Sequence, residues 1–168
     1  MAIEYGDGSD SNTGRTIQVK DAYLKTIVTV SSSSDTAISG LSQSITCHES
    51  TSQVKIDVFI GCCGASSANY YMFFTLYKDG SIIGGAIGNT EGSRQRCTFA
   101  QRTSAGHIAV PVSFSYLDTV GDTNSHTYDV RCAMEGGYTG RIGTTGNGNN
   151  QSNYPIAMSS LILTEIAV

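Results

Sequence analysis

Hydrophobic and polar residues alternate along much of the chain with a period of two, which is typical of β-strands that bury one face. The clearest alternation places large apolar side chains at Ile108, Val110, Val112, Phe114 and Tyr116. A weaker one covers residues 128–132, and the stretch between the two arms contains the turn formers Gly, Asp and Asn. The pattern predicts an antiparallel hairpin over residues 108–134 at the centre of the fold.

Other segments have the same strand character, and none has the spacing of an amphipathic helix. Residues 53–62 place Val54, Ile56, Val58 and Ile60 on one face, and an Asp-Gly pair at residues 79–80 predicts a tight hairpin turn. The remaining predicted strands cover residues 16–20, 23–30, 42–48, 69–77, 82–83, 94–101 and 158–168. About ten short strands at regular spacing predict an all-β, antiparallel jelly-roll β-sandwich.

A chain of 168 residues is long enough for one domain with a substantial core. Residues 1–14 are polar and rich in Gly, Asp and Ser, so we expect a flexible amino-terminal arm followed by a jelly-roll domain over residues 15–168. Ile3 and Tyr5 are the large apolar side chains of the arm. Residues 136–153 are mostly Gly, Thr and Asn, which predicts a long exposed loop.

Charge is scarce, which restricts the classes of partner. Charged residues make up 14% of the chain, against about 25% in average proteins. The net charge of -4 disfavours a nucleic-acid partner, because phosphate binding needs clustered Lys and Arg. The longest apolar runs are far shorter than a membrane span, and the first residues lack the basic and apolar regions of a secretory signal. We therefore expect synthesis in a cytoplasm and no membrane partner.

The residues that carry chemistry do not form a recognisable catalytic motif. Three histidines, His48, His107 and His126, lie in separate predicted segments, so we expect no enzyme and no cofactor. Asp118, Asp122 and His126 share one turn, where they either hold a cation or, as we favour, cap the turn. Five cysteines form an odd set without metal-ligand spacing, and we interpret them as buried, reduced thiols.

One polar stretch has the composition of a recognition loop. Aromatic and amide side chains bind sugars or proteins at low entropic cost, and this stretch contains several of them. They are Tyr138, Asn147, Asn149, Asn150 and Tyr154. An exposed loop without a ligand is the alternative.

Three short segments resemble the carboxy-terminal pattern of jelly-roll virion proteins of tailed bacteriophages, especially aquatic ones. They are Phe114-Ser-Tyr-Leu-Asp, His126-Thr-Tyr-Asp-Val-Arg and the terminal Ser159-Ser-Leu-Ile-Leu-Thr-Glu-Ile. Those proteins are similar in fold to the trimeric heads of the tumour necrosis factor and complement families. The resemblance implies a homotrimer whose terminal strand and central hairpin lie near the threefold axis. The interface candidates on that strand are Leu161, Leu163 and Ile166.

Two functions follow from the resemblance. The first is a capsid decoration or cement protein on the outer surface of a virion, which binds the major capsid protein or other virion proteins and stabilises the shell. The second is a tail fibre or spike tip that recognises a host surface glycan or protein. The short arm favours the first function, and the recognition loop favours the second.

Overall fold

The protein is an all-β sandwich of two antiparallel sheets, as a computed structural model that describes residues 14–168 shows. Strands account for 52% of the described residues and helices for 4%, so the prediction of a nearly helix-free fold is confirmed. Residues 1–13 of the amino-terminal arm, with Ile3 and Tyr5, lie outside the described residues. No helix within residues 14–168 is long and apolar enough to cross a bilayer.

Eleven strands and two single-turn 3-10 helices form the described part of the chain. The helices are Gly84–Ala86 and Glu135–Gly137. The strands are β1 (Thr16–Leu24), β2 (Val28–Val30), β3 (Thr36–Thr46), β4 (Gln53–Ala65), β5 (Tyr71–Lys78), β6 (Ser81–Ile82), β7 (Phe99–Arg102), β8 (Val110–Thr119), β9 (Ser125–Met134), β10 (Gly140–Ile142) and β11 (Ser159–Ile166).

The first sheet is organised around β4, which is 13 residues long. Along one edge β4 pairs with β11 and then with β10, and along the other edge it pairs with β8. β1 extends the sheet beyond β11, and β2 extends it beyond β10. The second sheet has β9 between β3 and β5, and the far edge of β5 pairs with β6 and β7.

The core lies between the two sheets and is built from the inward positions of each strand. On β4 the predicted face, Val54, Ile56, Val58 and Ile60, is almost completely buried. It packs in one cluster with inward residues of the second sheet, which include Phe74, Leu76, Tyr128 and Val130. Full burial of such a side chain contributes about 1.5 to 3 kcal/mol. The alternation read from the sequence therefore defines the buried face of β4.

The predicted turn at Asp79-Gly80 is also confirmed. Lys78 pairs with Ser81 across a two-residue connection, and both central residues have positive φ, 50° for Asp79 and 78° for Gly80. Positive φ at both positions is the geometry that favours Asp-Gly and matches the twist of the flanking strands.

The predicted central hairpin is wrong. β8 pairs with β4 in the first sheet, whereas β9 pairs with β3 and β5 in the second. Residues 120–124 therefore connect the two sheets. The apolar faces of both arms contribute to the core, each from its own sheet, so the period of two is satisfied without pairing between the two strands.

The prediction of a long exposed loop over residues 136–153 is also wrong in part. Residues 140–142 form β10, and residues 142–146 are buried. Small residues allow this close packing. A Cβ at Gly146 would overlap the backbone carbonyl of Ala65, and one at Gly64 would lie 2.5 Å from the carbonyl oxygen of Ile108. The glycines therefore mark tight backbone contacts there.

We expect Gly146→Ala to lower the free energy of unfolding by about 3 kcal/mol, because the added methyl meets backbone atoms that cannot rotate away. Gly88→Ala is the matched control, since a Cβ there has no atom within 4 Å, and its effect should stay within about 0.5 kcal/mol. Urea denaturation of both variants measures the difference. Equal stability of the two variants would contradict the packing described for residues 142–146.

Candidate interaction surface

The terminal strand β11 presents two different faces. Leu161 and Leu163 are fully buried in the core between the sheets, so they are not available to a second chain, and their assignment to a trimer interface is corrected. Ile162 and Ile166 alternate with them and are half-buried on the outer face of the first sheet. Ile166 therefore stays an interface candidate, and Ile162 joins it.

The outer face of the first sheet carries several large apolar side chains. Pairing places Tyr23, Ser160, Phe59 and Ser113 in one row across four strands. Tyr23 is 48% exposed and Phe59 is 44% exposed. The other exposed apolar side chains of this face are Val19 and Leu117. An apolar outer face of this kind is typical of a surface that contacts another protein.

A depression lies in the middle of this outer face. It has a volume of about 400 Å³ and lies between Phe59, Ile162 and the serines Ser113, Ser115 and Ser160. The short serine side chains leave space that their larger neighbours surround. The charges beside it, Lys55 and Asp57, pair with each other at 2.9 Å. A large apolar side chain of a partner would therefore fit there beside Asp57, whose charge is paired with Lys55.

The apolar surface continues beyond the strands. Ile27, Ile156 and Met158 are exposed in the connections next to β1 and β11. Gly143 brings these connections together, because its carbonyl accepts the N–H of Ala157 at 2.9 Å and a Cβ at Gly143 would lie 3.6 Å from the Cα of Ile27. Sequence reasoning missed Tyr23, Phe59 and Ile162. These residues lie at the alternate positions of the same period-two pattern. Only the strand register shows that they share one outer face.

The recognition-loop residues have different environments. The ring of Tyr138 stacks on Tyr70, with a centroid distance of 3.5 Å. Asn147 donates its backbone N–H to Gly106 at 2.7 Å, and its side chain accepts a hydrogen bond from Thr145 at 2.8 Å. The others are exposed or half-buried, namely Asn149, Asn150 and Tyr154.

The loops that carry these residues meet at one end of the sandwich. Ser66 donates its N–H to the carbonyl of Thr139, and a Cβ on Gly106 would meet the carbonyl of Ser66. Tyr138 and Asn147 are therefore anchored at the same end, each by its own contacts. A ligand role for the set stays a prediction.

The opposite end of the sandwich contains the acidic turn. His126 bridges two carboxylates, with Nδ1 2.6 Å from Asp79 Oδ2 and Nε2 3.0 Å from Asp122 Oδ1. Asp118 instead accepts hydrogen bonds from Lys78 Nζ at 3.0 Å and from Tyr128 Oη at 2.7 Å. The predicted trio of Asp118, Asp122 and His126 is therefore divided between two hydrogen-bond networks.

These contacts support the turn-capping alternative. Asp122 Oδ1 also accepts the backbone N–H of Asn124 at 2.7 Å, which closes the turn. Within residues 14–168, no group of three or more His, Cys, Asp or Glu side chains is arranged to hold a metal ion.

The bridge shifts the pKa of all three members. The pKa of His126 is raised above 6.5, chiefly by the hydrogen bond to Asp79. Burial works against this rise, and the hydrogen bond to Asp122 adds to it. The pKa of Asp79 is lowered, chiefly by His126, and that of Asp122 is lowered by the N–H of Asn124 and then by His126. A doubly protonated imidazole between two carboxylates is the state that both hydrogen bonds favour.

A second carboxylate network lies near the same end. Glu165 of β11 is fully buried and accepts hydrogen bonds from the backbone N–H of His48 at 2.7 Å and from Gln18 Nε2 at 2.7 Å. His48 Nδ1 is 2.9 Å from the same carboxylate. Burial raises the pKa of Glu165, but the hydrogen bonds outweigh it and bring the pKa down to about 2. Glu165 therefore ties β1, β11 and the end of β3 together as a structural anion.

The cysteines are free thiols, and four of them, Cys47, Cys62, Cys63 and Cys132, are buried. Burial raises the pKa of Cys63 to about 12 and that of Cys47 to about 11. Thiols of raised pKa hold little thiolate at neutral pH and are weak nucleophiles. These side chains act as small apolar groups in the core.

Comparison with known proteins adds no relative: neither a protein-family model nor a curated protein matches the chain. The surface chemistry itself therefore has to carry the functional argument.

We expect His126 to stabilise the fold below pH 6.5 and to lose that contribution as the pH rises through its raised folded pKa. His126→Gln should remove this loss, so the urea midpoint of the variant should vary less across that window than that of the wild type. His107→Gln, at an exposed position, is the control and should keep the wild-type pH dependence. A His126→Gln variant with an unchanged profile would contradict the charged bridge.

Proposed function

We propose that the chain is a non-enzymatic structural protein on the exterior of a bacteriophage virion, a decoration or cement protein that binds the shell as a homotrimer. The observation that carries the proposal is the outer face of the first sheet, which exposes Tyr23, Phe59 and Leu117 on a chain with only 14% charged residues. Interfaces are depleted in charge and enriched in aromatic residues at their centre. The three segments that resemble phage virion proteins support a location on a bacteriophage particle.

The strand order supports a jelly roll. Across the middle of the molecule the order β1-β11-β4-β8 faces the order β3-β9-β5-β7. Most of the long strands alternate between the sheets along the chain, as connections of the Greek-key type require. Eight strands in two such sheets are the number that a jelly roll uses.

The trimer is proposed to form through the outer face of the first sheet. Ile162 and Ile166 of the terminal strand lie on this face, and Ile162 borders the serine-lined depression. An apolar residue from a neighbouring copy would fill that depression. The inward leucines of the same strand hold the protomer together instead.

Sedimentation of the purified protein should give a mass near three chains, and Ile162→Lys should shift it toward one chain. A buried, unpaired ammonium at the interface costs more than the contact gains. Ser42→Lys adds the same charge at an exposed position of the second sheet and should leave the trimer intact. A wild-type protein that stays monomeric at micromolar concentration would contradict the trimer.

The arm is proposed to attach the trimer to the shell. Ordering an arm costs backbone entropy, and burial of Ile3 and Tyr5 against the shell would contribute to offsetting that cost. Three arms act together, because attachment of one raises the effective concentration of the others. Strand addition along an edge of the major capsid protein would supply further hydrogen bonds.

Deletion of residues 2–13 should leave the trimer folded and abolish its binding to particles that lack the protein. Gly14 is retained, because its N–H donates to Ala167 at 2.7 Å. The double variant Ile3→Ser and Tyr5→Ser should have the same defect, whereas Ser9→Ala with Ser11→Ala should bind normally. Full occupancy by the deleted trimer would show that a face of the sandwich is the anchor.

A tail fibre or spike tip is the second candidate function. It is favoured by the anchoring of the recognition loop, where Tyr138 stacks on Tyr70 and Asn147 is held by Gly106. A loop held in place loses less entropy when it binds a host glycan or protein. The copy number on purified virions separates the two functions, since a decoration protein approaches the number of shell subunits and a tail protein falls far below it.

A further inference from the structure

A groove crosses the outer face of the second sheet, on the side opposite the proposed trimer surface. Its volume is about 460 Å³, and Ser33, Tyr71, Phe73, Arg94, Gln95 and Glu135 contribute to its lining. That volume falls within the range of about 300 to 1,000 Å³ that small-molecule sites occupy. None of these residues belongs to the recognition loop.

Two aromatic rings form the floor of the groove. Tyr71 and Phe73 are two positions apart on β5 and so project from the same face. Their ring centroids lie 5.8 Å apart with an angle of 16° between the planes. Arg102 Cζ lies 5.6 Å from the centre of the Tyr71 ring, and Tyr71 is nevertheless 40% exposed. The two ring planes are therefore nearly parallel, and the pair gives the groove an apolar platform in which Tyr71 keeps part of its surface exposed.

The neighbouring strands leave the Phe73 ring accessible. Phe73 pairs with Ala100 of β7 on one side and with Ala133 of β9 on the other. Both neighbours end in a single methyl group, so neither reaches over the ring. Large residues at either position would fill the groove.

Polar groups of both hydrogen-bonding types surround the platform. Glu135 Oε2 accepts the backbone N–H of Tyr71 at 3.0 Å, which fixes the carboxylate beside the ring. Its Oε1 has no hydrogen bond to any residue in the described part of the chain, so Glu135 contributes an available acceptor to the lining of the groove. Arg94 and Gln95 approach from the segment between β6 and β7 and supply donors.

We propose that this groove binds a carbohydrate, with one pyranose ring packed on the exposed surface of Tyr71 beside Phe73 and its hydroxyl groups bonded to Glu135, Arg94 and Gln95. A pyranose has an apolar C–H face and an edge of hydroxyls that both donate and accept. The platform matches the face, and the mixture of carboxylate, amide and guanidinium matches the edge. A nucleotide fits less well, because the carboxylate of Glu135 would lie beside its phosphate and oppose the attraction of Arg94.

The test uses the purified full-length protein and saturation-transfer NMR with three probes: methyl α-glucopyranoside, methyl β-galactopyranoside and N-acetylglucosamine. At least one sugar should receive saturation on the C–H protons of one ring face, and its addition should shift the ring signals of Tyr71 and Phe73. Acyclic sorbitol, which has hydroxyls but no ring face, is the negative control. Shell binding is not involved, so the outcome is independent of the proposed virion role.

Tyr71→Ala should weaken binding of the responding sugar about tenfold, the effect expected for loss of one stacked aromatic contact. Glu135→Gln should weaken it by a smaller factor and keep the same pattern of saturated protons. Tyr23→Ala, a similarly exposed tyrosine on the first sheet, is the matched control and should bind like the wild type.

No transfer to any of the three sugars, equal transfer to sorbitol, or wild-type affinity in a folded Tyr71→Ala protein would overturn the proposal. If Tyr71→Ala does not fold, the ring shifts of Tyr71 and Phe73 in the wild type decide.

Discussion

The arrangement of the whole first sheet depends on the hydrogen bonding of β4, because three strands take their register from it. β11 and β10 share one of its edges, and β8 occupies the other. A shift of one residue in any of these pairings would turn a buried apolar face toward solvent. The inward row from Val54 to Ile60 prevents this shift, since all four side chains are almost completely buried. The same register places Phe59 and Ile162 on the outer face.

Local features of this fold could be predicted from the sequence, and long-range ones could not. The buried face of β4 and the Asp79-Gly80 turn follow from neighbouring residues alone. The sequence did not show that β8 and β9 belong to different sheets. A period of two indicates that one face of a strand is buried, but it does not indicate which strand pairs with it. β10 was missed for a related reason. Its few residues are short of apolar side chains, and only their pairing with β4 and β2 makes them a strand.

The candidate surfaces were predicted less completely than the fold. The terminal strand β11 was predicted, but it has apolar residues on both faces. Its sequence therefore does not show that Leu161 and Leu163 face the core and that Ile162 and Ile166 face outward. The aromatic groove depends on Ala100 and Ala133, which are distant in sequence from Phe73. The two surfaces lie on opposite faces of the sandwich. A trimer formed through the first sheet would therefore leave the groove of the second sheet open outward.

The position of β11 also affects how the protein is made. β11 (Ser159–Ile166) lies between β1 and β4. These two strands are synthesised early, but they cannot form their pairings with β11 until it has been synthesised. Until residue 166 has left the ribosome, β1 has no pairing partner among the strands described, and one edge of β4 is open along residues 53–59. Contacts between residues so far apart form slowly, and unpaired edges are prone to aggregation. Completion of the first sheet is thus coupled to the synthesis of residue 166, and a nascent chain shorter than this cannot form the outer face proposed for assembly.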